Sequence, residues 1–185
     1  IADKEIKTAY KSSLQGLMVV GESPTFDVIR KELERGWQGM LQTTPIFNTS
    51  NFPVNKLIVS KADAAVIKNL HLQKELGQAG ADGYVLVTKN VNNKNCIVVT
   101  GNSDVGILYG VFHLLRLMQM QQPVQSLNII SAPKVKLRLL NHWDNLDRTV
   151  ERGYAGFSLW NWHNLPAYID QRYSDYARAN ASIGI

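Results

Sequence analysis

A short polar and aromatic cluster near the C-terminal end of the sequence combines the side chains that typically bind sugars. Positions 141–152 place one indole, Trp143, among amide, carboxylate, imidazole and guanidinium groups. A sugar ring offers an apolar C–H face that packs on an indole and a rim of hydroxyls that bind polar groups. The cluster therefore indicates a carbohydrate site, and a buried Trp143 beside a turn-capping Asp144 is an equally open alternative. The candidate residues are Asn141, His142, Trp143, Asp144, Glu151 and Arg152.

Other chemistries find little support in the sequence. His142 and Asp144 could contribute to a metal site, but no third ligand follows at a suitable spacing, so we predict no metal. The turn at 21–24 lacks the glycine pattern of a nucleotide-binding loop, and no Ser/His/Asp set is recognisable. We therefore expect no cofactor. The single cysteine, Cys96, excludes an internal disulfide framework and a cysteine-rich zinc site.

The basic charge raises the question of nucleic acid binding. The chain carries 20 Lys and Arg against 15 Asp and Glu, a formal charge of +5. The lysines are spread between acidic and apolar neighbours without a dense run, which favours a solvated basic surface over a phosphate-binding patch. No apolar run reaches the roughly 18 residues that a membrane helix requires, so we expect neither a nucleic acid nor a membrane partner.

The composition changes near Leu140 and indicates two structural units. Every lysine lies before this position, whereas 8 aromatic residues lie after it. The net charge falls from +6 before the change to −1 after it. We therefore predict a boundary close by, with a first domain over residues 1–133 and a second segment over residues 134–185.

The first domain alternates β-branched runs with amphipathic stretches. The N-cap residues Ser23 and Ser103 each precede apolar residues at three- and four-residue spacing, which predicts two long helices. A third helix is predicted from Ala62 to about Leu76. This alternation predicts an α/β sandwich, with helices packed on a mixed sheet. The predicted strands are Leu17–Val20, Lys56–Ser60, Tyr84–Val87, Ile97–Thr100 and Leu127–Ile130.

The second segment has the pattern of one strand and helix of a barrel. Basic and apolar residues alternate from Val135 to Leu140, the polar cluster follows, and a helix is predicted from Leu165 to about Asn180. Active sites of (β/α)8 barrels lie at such strand ends. One βα step cannot close a barrel, so we predict the first βα unit of a truncated TIM barrel.

Several blocks of sequence resemble the family 67 glycoside hydrolases, the microbial α-glucuronidases. The most specific are Asn141-His142-Trp143-Asp144-Asn145-Leu146-Asp147-Arg148 and Glu151-Arg152-Gly153-Tyr154-Ala155-Gly156, followed by Ser158-Leu159-Trp160. Upstream, the segments 21–25 and 102–110 are similar to the same family's N-terminal domain, and downstream the segments 176–178 and 180–185 also fit. The resemblance implies an α/β N-terminal domain, a central (β/α)8 barrel and a helical C-terminal domain.

The resemblance also implies an activity. Such enzymes cleave the α-1,2 bond between glucuronic acid, usually its 4-O-methyl form, and the terminal xylose of glucuronoxylan fragments, with inversion and without a cofactor. Inversion requires an acid and a base on opposite sides of the bond, roughly 6.5 to 9.5 Å apart. In this family both come from later barrel strands, so we expect no catalytic residue in this chain.

Site roles follow from the resemblance at the matching positions. Trp143 is expected to form an apolar wall of the glucuronic acid pocket, with Glu151 and Arg152 in contact with the sugar. Arg152 could instead pair with Glu151 or Asp147. Asn141, His142 and Asp144 could either bind sugar hydroxyls or orient Trp143.

Two hypotheses of function remain. The first is the N-terminal portion of a xylan-debranching α-glucuronidase, inactive alone, with glucuronoxylan-derived oligosaccharides as partners and a homodimer as one expected assembly. The second is a self-sufficient carbohydrate-binding module that uses Trp143, Trp160 and Trp162 as a stacking platform.

The sequence begins at Ile1 without a charged-then-apolar leader, and a periplasmic or secreted location is slightly favoured for a polysaccharide-degrading parent. The triplets at 48–50 and 180–182 match the N-glycosylation pattern, which matters only in a eukaryotic secretory context.

Overall fold

The chain forms two compact units. A computed structural model describes residues 1–47, 56–91 and 93–185. The N-terminal unit comprises Ile1–Lys134 and the C-terminal unit comprises Val135–Ile185. Their assignment as an accessory domain and a barrel segment stays a prediction. The glycosylation triplet at 48–50 lies outside the described residues.

A five-stranded mixed sheet organises the N-terminal unit, in the order β1-β2-β4-β3-β5. β1, β2 and β4 are parallel, whereas β3 pairs antiparallel with β4 and with β5. The parallel strands are buried on both faces, as is usual when helices cover a sheet on both sides. The predicted mixed-sheet α/β fold is confirmed. The strands are β1 (Gly16–Val20), β2 (Lys56–Lys61), β3 (Tyr84–Val91), β4 (Lys94–Gly101) and β5 (Asn128–Ser131).

Two long helices begin at the predicted caps. In α2 (Pro24–Gly36), the Ser23 hydroxyl accepts a hydrogen bond from the Phe26 N–H at 3.2 Å. In α5 (Asp104–Gln119), the Ser103 hydroxyl accepts from the Gly106 N–H at the same distance. α2 continues into a π-helical turn, and α5 packs against α2 and against β2, β3 and β4.

One helix of this unit was not predicted. α1 (Lys4–Ser13) begins at Asp3, whose carboxylate accepts from two backbone N–H groups, and its Tyr10 is buried. The Tyr10 hydroxyl donates to the Gln122 carbonyl at 2.6 Å. The signal was present in the sequence, because an acidic cap precedes apolar residues at Ile6 and Tyr10, four positions apart.

The single helix predicted from Ala62 to Leu76 is wrong. The structure has two short helices, α3 (Ala65–Lys68) and α4 (Gln73–Ala79), separated by a left-handed residue, His71, at φ 53°. Ile67 and Leu72 both pack in the core against the sheet. At about 100° per residue, a continuous helix would turn Leu72 roughly 140° away from Ile67, so the break places both side chains in the same core.

The C-terminal unit contains one regular helix, α6 (Gln171–Ser182), in residues 135–185. The predicted start at Leu165 is wrong, because the residue before a proline disfavours helical geometry and the cap is Asp170, which accepts from the Arg172 N–H. Val135–Leu140 was predicted as a strand and is not one. No described segment pairs with it, and its alternating Leu137 and Leu139 are exposed.

No helix in the described ranges is both long and apolar enough to cross a membrane.

Candidate functional site

Residues 143–158 fold into two short successive hairpins, which we call the double hairpin. Asp144 pairs antiparallel with Val150, and Thr149 pairs antiparallel with Phe157. The first turn is closed by a hydrogen bond from the Arg148 N–H to the Asn145 carbonyl at 2.9 Å. The predicted site residues from Trp143 to Arg152 therefore lie on one compact loop rather than along a strand and an open connection.

Side chains also stabilise the first turn of the double hairpin. The Asn145 amide donates to the Thr149 hydroxyl at 2.8 Å and to the Glu151 carbonyl. The Asp147 carboxylate accepts from the Thr149 hydroxyl at 2.7 Å and from its N–H at 2.9 Å. These two hydrogen bonds lower the pKa of Asp147 below its ordinary value. The Asp147 carboxylate is therefore ionised at neutral pH, and its hydrogen bonds stabilise the turn.

Trp143 lies at the start of the double hairpin with its indole 70% exposed. Its carbonyl accepts from the Glu151 N–H at 2.9 Å, so its backbone is held within the hairpin. Among the described residues the indole has no ring contact and no hydrogen bond. A buried, core-packed Trp143 was the alternative left open by the sequence, and the structure excludes it within this chain.

The two neighbours of Trp143 are engaged inside the C-terminal unit. The Asp144 carboxylate accepts from the Ser158 hydroxyl at 2.5 Å, and Ser158 is buried. The same Ser158 oxygen accepts from the Trp160 N–H at 2.9 Å. On the other side, His142 Nε2 lies 2.7 Å from the Tyr176 hydroxyl. These contacts favour an orienting role for His142 and Asp144 over direct sugar binding.

The ring of His142 belongs to a packed group of side chains that we call the aromatic cluster. Trp160 Nε1–H donates to His142 Nδ1 at 3.4 Å. Because an indole N–H can only donate, the neutral imidazole carries its proton on Nε2, which then donates to Tyr176 Oη. The cluster consists of His142, Trp160, Trp162, Tyr173 and Tyr176, with ring centroids 4.7 to 6.2 Å apart.

This packing disfavours the stacking platform of three tryptophans. Trp160 contacts four rings of the aromatic cluster and is only partly exposed. An indole enclosed in this way does not offer a free face to a sugar.

The remaining predicted residues lie at the tip and edge of the loop. Glu151 has a left-handed backbone, φ 53°, and its carboxylate accepts a short hydrogen bond from the Tyr154 hydroxyl, which raises the pKa of Tyr154. Arg152 and Asn141 are exposed. In the described part of the chain, Arg152 forms no ion pair with Glu151 or Asp147, so the pairing considered from the sequence is not formed.

The role of Ser158 could not be anticipated. It lies 14 residues from Asp144, a separation that no helical or strand repeat connects, and only the two turns of the double hairpin bring them together.

For metals, no group of three or more His, Cys, Asp or Glu residues in the described ranges is arranged to hold an ion.

Comparison with known proteins decides the family. The N-terminal domain of glycosyl hydrolase family 67 matches residues 1–114, and the middle domain of the same family matches residues 117–185. The chain belongs to glycosyl hydrolase family 67. The middle-domain match includes the whole double hairpin, α6 and the aromatic cluster of this family 67 chain.

Curated relatives of the family 67 chain are fungal proteins of much greater length. It is 26% identical over 177 residues to the probable alpha-glucuronidase A of Aspergillus fumigatus, covering 96% of this chain and 20% of the relative. It is 35% identical over 109 residues to the alpha-glucuronidase A of Emericella nidulans, covering 56% of this chain and 12% of the relative. The family 67 chain thus spans at most about a fifth of these relatives.

A solved structure also resembles the family 67 chain in part. It is a 4-O-methyl-alpha-glucuronidase of family GH115 with specificity for decorated arabinogalactans, at a TM-score of 0.46 and 19% identity. The match covers 56% of this chain and 13% of that one.

Proposed function

We propose that this chain is the N-terminal part of an inverting xylan α-glucuronidase, which releases glucuronic acid or its 4-O-methyl form from glucuronoxylan oligosaccharides. Membership of family 67 and the names of the relatives support the reaction class. The observation that carries the site is Trp143: a large apolar surface, 70% exposed, on a backbone fixed by the double hairpin. An exposed indole on a fixed backbone suits the C–H face of a sugar.

In this proposal Trp143 forms an apolar wall of the glucuronic acid pocket. Glu151 and Arg152 stand at the tip of the same loop and contact the sugar, with the exposed Arg152 guanidinium available to a carboxylate or a hydroxyl. Asn141 precedes them as a further exposed polar contact. The chain therefore contributes binding surface to one side of the pocket.

The carboxylates of the loop do not suit the acid and base of the reaction. Asp144 is bound to Ser158, Asp147 to Thr149, and Glu151 to Tyr154. An inverting acid needs a raised pKa, and the pKa of Asp147 is lowered instead. We therefore propose that both catalytic carboxylates are supplied by a longer protein and that this chain alone is inactive.

The test compares glucuronic acid release from glucuronoxylo-oligosaccharides by this chain and by a version extended to the length of its relatives. We expect release by the extended protein only. Release by the 185-residue chain would refute the inactive-fragment proposal.

A pair of variants of the extended protein tests the role of Trp143. Trp143→Ala should lower kcat/KM by about 10- to 150-fold, as expected when about 1.5–3 kcal/mol of buried apolar contact is lost. Phe157→Ala is the matched control, because Phe157 is an equally exposed aromatic residue, 77%, in the same double hairpin. Equal loss from both variants would contradict a specific role for Trp143.

A further inference from the structure

We propose that Tyr176 is a positioning residue for Trp143 and acts through His142. The inference rests on the proposed function, because it gives Trp143 a ligand to face. The observation behind it is a hydrogen bond of 2.7 Å between the Tyr176 hydroxyl on α6 and Nε2 of His142, the residue directly before Trp143.

Both nitrogens of the His142 ring are occupied, which fixes the ring in one orientation. Nε2 faces Tyr176 Oη, and Nδ1 lies 3.4 Å from Trp160 Nε1. The Tyr176 and Trp160 rings also pack edge-on against the imidazole, with centroids 5.4 and 5.7 Å away. Rotation of the imidazole would break both hydrogen bonds and both ring contacts together, so the backbone at position 142 is held.

Trp143 depends on this support because its own side chain has none. The indole is 70% exposed, and within the described chain it makes no ring contact and no hydrogen bond. The direction of its Cα–Cβ bond is therefore set by the backbone between His142 and Asp144. Asp144 is held by Ser158 on one side, and on the other side His142 is held by its hydrogen bonds to Tyr176 and Trp160.

The hydrogen bond between His142 and Tyr176 matters because a residue that forms the wall of a binding pocket must be positioned accurately. Binding and catalytic groups must be held within about 0.5 Å of their productive geometry, and supporting residues that lock them determine the affinity. Tyr176→Phe removes only the hydroxyl and leaves the aromatic ring in the cluster, so it tests the hydrogen bond without removing the packing.

The first experiment needs no sugar and uses the 185-residue chain. The indole N–H resonance of Trp143 is identified by its loss in Trp143→Phe, and its shift and linewidth are compared between the wild type and Tyr176→Phe. We expect the Trp143 resonance to move or broaden in Tyr176→Phe. Tyr168→Phe, an exposed tyrosine of the same unit whose hydroxyl has no described hydrogen bond, should leave it unchanged.

The second experiment measures kinetics in the extended protein. Tyr176→Phe should raise KM about fivefold with a smaller change in kcat, the factor that follows from the loss of one net hydrogen bond. The same substitution in a Trp143→Ala background should have no further effect on KM, because its action passes through Trp143. Tyr168→Phe should match the wild type.

The outcomes separate this inference from the proposed function. An altered Trp143 resonance together with no role for Trp143 in catalysis would sustain the positioning link and refute the sugar pocket. An unchanged resonance, or an effect of Tyr176→Phe that persists undiminished in the Trp143→Ala background, would overturn the positioning role even if the extended protein is an active glucuronidase.

Discussion

The Ser158 hydroxyl donates a hydrogen bond to the Asp144 carboxylate at 2.5 Å and thereby joins the first and last segments of the double hairpin. Ser158 is buried, and its oxygen also accepts from the Trp160 N–H, so one side chain connects the loop to the aromatic cluster. Side-chain hydrogen bonds, as well as backbone pairing, thus hold the loop that carries Trp143 to the rest of the C-terminal unit.

Ser158→Ala should therefore destabilise the C-terminal unit by about 1.5–3 kcal/mol, the range for a hydrogen bond to a charged group. The free energy of unfolding from urea titration of the chain provides the measurement. Ser174→Ala is the matched control, an exposed serine of α6, and should change the stability by no more than about 0.5 kcal/mol. A loss as small as that of the control would show that the link between Ser158 and Asp144 contributes no net stability.

Gly106 and Gly77 should respond oppositely to alanine. A Cβ at Gly106 would lie 2.3 Å from the backbone oxygen of Gly83, and this oxygen cannot move without disturbing the start of β3. A Cβ at Gly77 would meet nothing within 4 Å. Gly106→Ala should cost about 1–3 kcal/mol or more, and Gly77→Ala in α4 should gain about 0.5–1 kcal/mol. Thermal unfolding of both variants tests this, and a stable Gly106→Ala would contradict the close approach.

The stability of the N-terminal unit should depend on His113 in mildly acidic solution. Burial, and secondly the charge of Arg116, lower the pKa of His113, whose Nδ1 lies 2.7 Å from the Tyr84 hydroxyl. Well above the ordinary histidine pKa of about 6.5 the ring is neutral in both states. As the pH falls through that value, the unfolded chain takes up a proton that the folded chain resists, so folding loses stability until the lower folded pKa is reached.

His113→Gln removes this titration, so its free energy of unfolding should fall less between pH 7.5 and pH 5.5 than that of the wild type. Urea titrations of both proteins at the two pH values measure the difference. Parallel losses in the two proteins would show that His113 does not contribute to the pH dependence.

The exposed apolar row at 135–140 should behave differently in short and long chains. Leu137 is 74% exposed in this chain, so Leu137→Glu should change its stability by no more than about 0.5 kcal/mol. If barrel strands cover this row in the extended protein, the same substitution buries a charge there and should abolish soluble expression or activity. Lys134→Glu is the control and should be tolerated in both. An extended protein that tolerates Leu137→Glu would contradict the prediction that residues 134–185 belong to a barrel.

Elements specified by local signals were predictable from the sequence. Ser23 with Pro24, and Ser103 with Asp104, mark helix starts because the capping hydroxyl and the following residues act within one turn. β-branched runs likewise placed the strands of the sheet. The break between α3 and α4 was not predictable, because neither glycine nor proline marks it and its cause is the shared burial of Ile67 and Leu72.

The sequence proposed candidate residues for the site, whereas most of their geometry could not be derived from it. The combination of Trp143 with nearby polar groups pointed to a carbohydrate site from side-chain chemistry alone. The contacts of His142 with Tyr176 and of Asp144 with Ser158 span 34 and 14 residues, and such separations depend on turns and packing. The strand predicted at 135–140 failed for a related reason, since a strand forms only where a partner supplies hydrogen bonds.

The most direct measurement is hydroxyl-radical footprinting of Trp143 in the extended protein, with and without glucuronic acid. We expect the sugar to protect the Trp143 indole from oxidation while Phe157 on the same double hairpin stays unprotected. A Trp143 indole that is oxidised equally with and without saturating sugar would show that Trp143 does not line the glucuronic acid pocket.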